Sequence, residues 1–271
     1  MSKSNPPSPI TKADLDKFVV EDSDFGFEMS VLAELRKLGF KCSHSGTYSD
    51  PVTKKIRQFD LRATIERGDC ELAMAVECKN IRSPLLISAV PRTSNEAFHC
   101  VIEYRGGHTV YNSPVECTLV SHSLIYEVDK SVGKKTDQIR RENANIVSDD
   151  SVTFDKIGQA INSAEDLVQD MVSDERKIPS LRVVVPVLVV PTGLLWQVDY
   201  DANGRLVADA RTVSHATCYV NHAWRATAGI HPVWYQISHL EIVTSDFLSK
   251  AVEIWMGSAG FFGEHLRSSS E

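Results

Sequence analysis

The run Leu181–Val190, with the sequence LRVVVPVLVV, restricts the fold of this chain more than any other segment. After Arg182 nearly every position is β-branched or aliphatic, with no alternation between polar and apolar residues. This pattern is typical of a strand that is buried on both faces of a sheet. Pro186 lies inside the run and cannot donate a hydrogen bond to a neighbouring strand, so we expect a bulge or an edge position there.

Two longer segments have the spacing of amphipathic helices. Residues 25–38 carry an apolar stripe, Asp24 can cap the start of this helix, and Gly39 can end it. Residues 154–172 repeat the helical spacing, and a short helix is expected at about residues 246–256. Glu28 lies in line with the apolar stripe of the first helix, so its carboxylate must be solvated at the helix end or have a partner.

Residues 56–80 predict two adjacent strands joined by a turn. In the first strand, alternation places Asp60 and Arg62 on one face and apolar side chains on the other. In the second strand, Glu77 and Lys79 share one face, and the opposite face carries Leu72, Met74, Val76 and Cys78. Because adjacent strands bring such faces together, we expect Asp60, Glu77 and Lys79 to converge on one side of a sheet.

Two carboxylates and a lysine on one face of a core-forming sheet are costly to bury unless a cation lies among them. Mg²⁺ prefers oxygen ligands and keeps several waters, so Asp60, Glu77 and the backbone carbonyl of Cys78 are sufficient ligands. A cation held there polarises a phosphate and activates water, while Lys79 can orient that water or stabilise the developing negative charge. The alternative is a solvated sheet face with an ordinary Glu-Lys pair.

This set of residues resembles the PD-(D/E)xK, or restriction-endonuclease-like, nuclease superfamily. Asp60 stands on one strand, Glu77-Cys78-Lys79 is similar to the E-x-K of the next strand, and Phe59 replaces the proline of the signature. The resemblance implies that Asp60 and Glu77 bind metal and that Lys79 is catalytic. In the Mrr-like and Holliday-junction-resolvase-like branch a glutamate from the first helix joins the site, a role that Glu28 fits. The alternative for Glu28 is an interaction with the helix macrodipole.

The same resemblance implies an α/β fold, with a restriction-endonuclease-like core in which helices flank a central mixed β-sheet. We expect this core at residues 21–190, interrupted by a β-rich insertion at about residues 81–150. A β-rich C-terminal extension of the same domain is expected at residues 191–257. The terminal segments, residues 1–20 and 258–271, are predicted to be a flexible and a loose tail. Strand-like runs occur near residues 97–104, 115–119, 124–128, 194–200, 206–209 and 233–243.

The densest basic run, residues 132–141, is predicted to start a helix. Lys134, Lys135 and Gln138 of this run are candidate nucleic-acid contacts, together with Arg62. A solvated helix face without any phosphate contact is the alternative.

Composition excludes several classes of function. The net charge of −7 argues against a surface that binds nucleic acid everywhere, although a local basic groove remains compatible with it. The six cysteines include no C-x-x-C pair, so we expect reduced thiols rather than a zinc ribbon or a disulfide framework. The GKKT sequence at residues 133–136 does not satisfy the Walker pattern, because Val128 stands at the required glycine. Without a signal peptide or a membrane-length apolar run, a soluble, cytoplasmic protein with no membrane partner is expected.

The expected function is therefore Mg²⁺-dependent hydrolysis of phosphodiester bonds, with Mn²⁺ able to substitute. The resemblance implies DNA as the nucleic-acid partner and a role in restriction, antiviral defence or repair. A homodimer or higher oligomer is expected, because cutting both strands of a duplex usually requires two sites, and a separately encoded ATPase or sensor could gate the activity. The alternative is a non-catalytic restriction-endonuclease-like module that binds nucleic acid or a partner protein.

Overall fold

The structure is a computed structural model, and the part of the chain that it describes excludes both ends and several internal segments. The described residues are 8–21, 23–68, 70–93, 99–104, 115–120, 130–149, 151–173, 181–228 and 231–257. The strand predicted at residues 124–128 and the tail predicted at residues 258–271 lie outside them.

Four helices and fifteen strands make up the described part of the chain. The helices are α1 Lys12–Glu21, α2 Phe25–Lys37, α3 Ser151–Ser173 and α4 248–257. The strands are β1 Lys41–His44, β2 Thr47–Ser49, β3 Ile56–Gln58, β4 Leu61–Arg67, β5 Cys70–Cys78, β6 Leu85–Pro91, β7 His99–Tyr104, β8 Val115–Val120, β9 Ser131–Glu142, β10 Asn145–Asp149, β11 Leu181–Val190, β12 Leu195–Asp199, β13 Arg211–Thr212, β14 His215–Ala228 and β15 His231–Thr244.

Thirteen of these strands form one mixed sheet. Its main path runs β1-β4-β5-β11-β15-β14-β9-β6-β12-β13, with β10 paired to β9 and the β7-β8 hairpin attached through β7 to β11. Strands β5, β11 and β15 are parallel to one another, whereas β4 and β5 are antiparallel. The predicted α/β class with a central mixed sheet is thereby confirmed.

Helices cover both faces of the sheet around β5. On one face, α2 and α4 pack against the set that alternation predicts, Leu61, Ala63, Leu72, Met74, Val76 and Cys78. On the other face, α3 lies over Ala73 and Ala75 of β5 and Val184 of β11. Because both faces of β5 are covered, all of its nine residues are buried, Glu77 among them. The carboxyl end of β5 lies between the start of α2 and the start of α3.

The basic run at residues 132–141 was predicted to start a helix, and this prediction is wrong. The run belongs to the long strand β9. Val132, Thr136 and Ile139 are β-branched, and β9 pairs with β6 on one side and with β10 on the other. Gly133 permits this packing because a Cβ there would lie 2.6 Å from Ile87 Cγ2. Pairing with β6, which is distant in sequence, together with the hairpin to β10, therefore overrides the weak local signal.

Pro186 does not mark an edge or a bulge, because β11 has neighbours along both sides. On the side opposite β5, the partner changes from β7, which pairs up to Val184, to β15, which pairs from Val187. Pro186 falls at this junction, where the missing N–H donor is tolerated.

The segment predicted as an N-terminal tail contains the helix α1. None of the residues of α1 is buried, and the ion pairs Lys12–Asp16 and Lys17–Glu21 link successive turns. The sequence does carry helix signals there, because Leu15, Phe18 and Val19 have helical spacing and Thr11 and Asp14 form a capping box at the start of α1. No helix among the described residues has the length and apolar character needed to cross a membrane.

Candidate functional site

The carboxylates of Asp60 and Glu77 meet where β4 begins and β5 ends. Leu61 pairs with Val76, and continuing this register places Asp60 opposite Glu77. The backbone N–H of Asp60 donates to Glu77 Oε1 at 3.3 Å, and the backbone N–H of Cys78 donates to Asp60 Oδ2 at 2.8 Å. The two acidic residues thus fix each other at the end of the central strand pair.

A lysine from α3 joins this acidic pair. Lys156 Nζ donates to Asp60 Oδ1 at 3.0 Å, to Asp60 Oδ2 at 2.8 Å and to Glu77 Oε2 at 2.8 Å. The side chain of Glu77 is 1% exposed and that of Lys156 is 17% exposed. The arrangement is therefore a largely buried, three-residue charge cluster in which one ammonium group balances two carboxylates.

Burial and charge shift the pKa values of this cluster in opposite ways. Burial raises the pKa of Glu77 to about 8, and the neighbouring Asp60 carboxylate adds to the increase. Burial alone would lower the pKa of Lys156, but the carboxylates of Glu77 and Asp60 raise it above its usual range. Both shifts have the same physical meaning: a positive charge near the acidic pair, whether a proton or an ammonium group, is stabilised there.

Tyr48 lies close to the same cluster. Its hydroxyl is buried and has no hydrogen-bond partner among the described residues. Burial, followed by the nearby Glu77 carboxylate, raises the pKa of Tyr48 to about 12. A buried hydroxyl without a partner is costly, so a ligand atom or water at this position would relieve it.

Glu28, on the first turn of α2, faces the acidic pair from the other helix layer. Its side chain is 14% exposed, and Oε2 lies 3.4 Å from His44 Nε2. Burial and then the charge of Asp60 raise the pKa of Glu28, which shows that the two carboxylates are electrostatically coupled. The partner that the Glu28 carboxylate needs on the apolar stripe is His44, and the effect of Asp60 on its pKa places it near the acidic pair.

Lys79 follows Glu77 by two residues, but its ammonium group binds elsewhere. Lys79 Nζ donates to Asp24 Oδ2 at 2.6 Å, and the backbone N–H of Asn80 donates to Asp24 Oδ1 at 3.0 Å. Asp24 occupies the N-cap position of α2 without the predicted side-chain capping bond, because its carboxylate is engaged by these two residues. Among the described residues, no hydrogen bond joins Lys79 to Asp60 or Glu77.

The predicted nucleic-acid contacts lie in three different surroundings. Arg62 donates to Asp166 Oδ2 at 2.7 Å and packs over the Phe59 ring, so it ties β4 to α3. Gln138 donates to Ser83 Oγ at 3.0 Å, near the start of α3. Lys134 and Lys135 lie on β9, where Lys134 Nζ is 4.0 Å from the centre of the Tyr219 ring.

Sequence reasoning missed Lys156 and Tyr48, and only the first had a usable signal. Lys156 lies in line with Ala160, Ser163 and Leu167 at helical spacing, which is the face of α3 turned to the sheet. A lysine on that stripe needed a buried partner, by the argument that singled out Glu28. Tyr48 lies in a strand of three residues, which is too short for alternation to show which way its side chain points.

The possible metal ligands at this site are few. Among the described residues, no group of three or more histidine, cysteine, aspartate or glutamate side chains is arranged to hold a metal ion. A divalent cation would rest on Asp60, Glu77 and the backbone carbonyl of Cys78. One or two carboxylates with water are sufficient for Mg²⁺, so the donor set fits that ion. The Tyr48 hydroxyl, which has no hydrogen-bond partner within the described part of the chain, is a further polar group near Glu77.

Comparisons with protein-family models, with curated proteins and with solved structures found no match to this chain.

Proposed function

We propose that this protein is a Mg²⁺-dependent nuclease of the PD-(D/E)xK kind, with Asp60 and Glu77 as the metal-binding carboxylates. The observation that carries the proposal is the meeting of these two carboxylates at the end of β5, where Asp60 lies opposite Glu77 and the backbone N–H groups of Asp60 and Cys78 hold them side by side. Two buried carboxylates beside each other are rarely kept in a sheet unless they serve a bound cation. The restriction-endonuclease-like core and the use of Mn²⁺ in place of Mg²⁺ are parts of the same proposal.

Each residue near the pair has a separate role in this proposal. A divalent cation at this place supplies electrophilic activation of a phosphate and a nucleophile at neutral pH. Asp60 and Glu77 bind the cation, and Cys78 orients Asp60 through its backbone N–H. Glu28 adds negative charge on the α2 side. Lys79 contacts a phosphate oxygen once its ammonium group leaves Asp24.

Lys156 is part of the proposed site, although it is absent from the E-x-K pattern. Its ammonium group already bonds both carboxylates, so it competes with a divalent cation for the same oxygens. On displacement it remains tethered by α3 within reach of a substrate phosphate. Lys156 therefore supplies a positive charge that can stabilise the negative charge developing on the phosphate.

The test is cleavage of supercoiled and linear DNA by purified protein with Mg²⁺, with Mn²⁺ and with a chelator. Wild type is compared with Glu77→Gln, with Lys79→Ala and with Glu66→Gln, whose carboxylate lies on β4 and pairs with exposed Lys41. We expect cation-dependent cleavage by wild type and by Glu66→Gln, and a loss of at least about a hundredfold in Glu77→Gln. Equal cleavage by wild type and Glu77→Gln, or no cleavage of DNA or RNA by wild type, would reject the nuclease proposal.

A second candidate is a non-catalytic restriction-endonuclease-like module that binds nucleic acid or a partner protein. Two observations favour it: Lys156 already balances the acidic pair, and Lys79 is held by Asp24. Calorimetric titration with Mn²⁺ separates the candidates, because only the nuclease requires cation binding that is lost in Asp60→Asn. DNA as substrate, a homodimer, and an ATPase or sensor partner remain proposals implied by the resemblance.

A further inference from the structure

A cavity lies beside α3, between this helix and strands β9 and β14. Its volume is about 460 Å³, within the roughly 300–1,000 Å³ range of small-ligand pockets. Ile157 and Ile161 of α3 and Val220 of β14 line it, so much of its wall is apolar. Asp60, Glu77 and Lys156 are not among the residues that line the cavity, so it is distinct from the candidate metal site although both touch α3.

Gly158 keeps this cavity open. It lies in the interior of α3, where glycine is destabilising relative to alanine. A Cβ added at Gly158 would meet nothing within 4 Å, so close packing does not require glycine there. Gly133, by contrast, is required by close contact with Ile87 and Cys218. Because Gly158 has no side chain, part of the cavity stays empty, and close packing of the fold does not require this empty space.

Positive charge and aromatic rings lie together at one side of the cavity. Lys134 Nζ is 4.0 Å from the centre of the Tyr219 ring, and both residues line the cavity. Lys135 lines it as well and forms an ion pair with Asp137 at 2.7 Å. Phe154, which is 69% exposed, lies at the first turns of α3. No acidic residue is among the described residues that line the cavity, although the whole chain carries a net charge of −7.

We propose that this cavity binds one nucleotide unit, with the base in the apolar part and the phosphate at Lys134 and Lys135. A base is planar and apolar on its faces, and it stacks on exposed aromatic rings such as that of Phe154, whereas Lys134 already covers a face of the Tyr219 ring. A phosphate matches the two ammonium groups. Residues 133–136 belong to strand β9 and do not form a strand-loop-helix phosphate loop, so side chains rather than a nest of backbone N–H groups make the phosphate contacts. The nucleotide unit can be a free mononucleotide or part of a single-stranded nucleic acid.

Calorimetric titration with AMP and CMP tests this binding site. The titrations are done in the presence of a chelator, so that a failure of the metal-dependent reaction does not affect the result. Adenosine supplies the base without phosphate, and ribose 5-phosphate supplies the phosphate without base. We expect saturable binding of at least one mononucleotide, with each partial ligand at least tenfold weaker.

Substitutions at two positions locate the binding in the cavity. Gly158→Leu should abolish nucleotide binding because the new side chain fills the cavity, whereas Gly158→Ala should leave it within about twofold. Lys134→Met should weaken binding about tenfold, and Lys41→Met, at an 82% exposed lysine of β1, should leave it unchanged. Circular dichroism checks that each variant is folded. If Gly158→Leu does not fold, the comparison of Lys134→Met with Lys41→Met decides the outcome.

A short single-stranded oligonucleotide distinguishes the two sources of the nucleotide unit. Weaker oligonucleotide binding in both Gly158→Leu and Lys134→Met supports a unit within a nucleic-acid strand. Unchanged oligonucleotide binding, together with lost mononucleotide binding, supports a free nucleotide. Absence of saturable mononucleotide binding by wild type, equal binding by wild type and both variants, or equal affinity for ribose 5-phosphate and AMP would overturn the proposal.

Discussion

Lys156 determines the charge balance of the candidate site, and it does so from a helix that the sequence motif does not include. A buried lysine loses hydration, yet here two carboxylates each accept a hydrogen bond from it. Removing one partner of such a cluster leaves the others buried without compensation, which costs more than the intact cluster contributes. The effect of a substitution at Lys156 is thus a measure of how strongly the acidic pair needs a cation.

We expect Lys156→Met to lower the free energy of unfolding by about 3 kcal/mol near pH 8, because Glu77 must then stay buried without its cationic partner or bind a proton that the unfolded state does not bind at this pH. Urea unfolding measures the change. Adding Glu77→Gln should recover part of the loss, because only one carboxylate then remains. The exposed control Lys41→Met should change stability by less than about 0.5 kcal/mol. A loss for Lys156→Met as small as that of the control would contradict the buried cluster.

The ion pair of His215 with Glu241 should make the stability of the protein depend on pH. This pair does not belong to the candidate site. His215 Nε2 lies 2.5 Å from Glu241 Oε2, and the Thr217 hydroxyl donates to the same carboxylate oxygen. Burial would lower the pKa of His215, but the Glu241 carboxylate raises it above the ordinary value. The folded state therefore binds the proton more tightly than the unfolded state, whose histidine pKa is about 6.5.

The contribution of this pair is fully present below a pH of about 6.5 and is lost as the pH rises through the folded-state pKa. Urea unfolding between pH 6 and pH 9 should show wild type losing stability relative to His215→Gln as the pH increases. Parallel stability curves for the two proteins would contradict the assignment. The glutamine can still donate to Glu241 but does not titrate, so it is the matched control.

Individual residues of the site could be predicted as far as alternation and helical spacing extend. Asp60 and Glu77 converge because they lie on adjacent strands with a common buried face. Glu28 could be singled out because a carboxylate on an apolar stripe must be solvated or have a partner, and His44 is its partner. The partner of Lys79 could not be predicted, since Asp24 reaches it across the fold from the residue that precedes α2.

At the scale of elements, the segments with strong periodicity were predicted correctly, as were the strands β7 and β8 of the insertion, whereas β9 was wrongly predicted to start a helix. The helices α2 and α3 and the strands β4, β5 and β11 carry either a clear stripe or a long apolar run. Strand β9 has neither a regular stripe nor a long apolar run, because its buried and exposed residues do not alternate regularly along its length. Its structure depends on the hairpin with β10 and on pairing with β6, and short-range patterns do not contain the second of these.

Alanine substitutions at two glycines should change the stability of the protein in opposite directions. Gly158→Ala should stabilise the protein by about 0.5–1 kcal/mol, because α3 gains helix propensity and the new Cβ meets nothing within 4 Å. Gly133→Ala should destabilise it by about 1–3 kcal/mol, because a Cβ there would lie 2.7 Å from Cys218 Sγ. Urea midpoints of the two variants measure both effects. Equal changes of the same sign would contradict the different packing of α3 and β9.

For the whole molecule, cation binding should appear as a gain in global stability. A ligand that binds only the folded state adds about 2.7 kcal/mol at a hundred times its dissociation constant. Thermal unfolding of wild type should therefore shift upward as Mn²⁺ is added, whereas Asp60→Asn and Glu77→Gln should show little shift. Glu66→Gln, outside the cluster, should behave as wild type. The absence of any shift in wild type would contradict cation binding at the acidic pair.

The pairing of β5 with β11 has a consequence for how the protein is made. Cys70 pairs with Leu181, so a long part of the chain separates the two central strands. Such a high contact order favours slow folding. A nascent chain on the ribosome will have released Asp60 and Glu77 well before Lys156 and β11 emerge. Until then the two acids remain hydrated and far from any buried partner, so the candidate site is completed only late in synthesis.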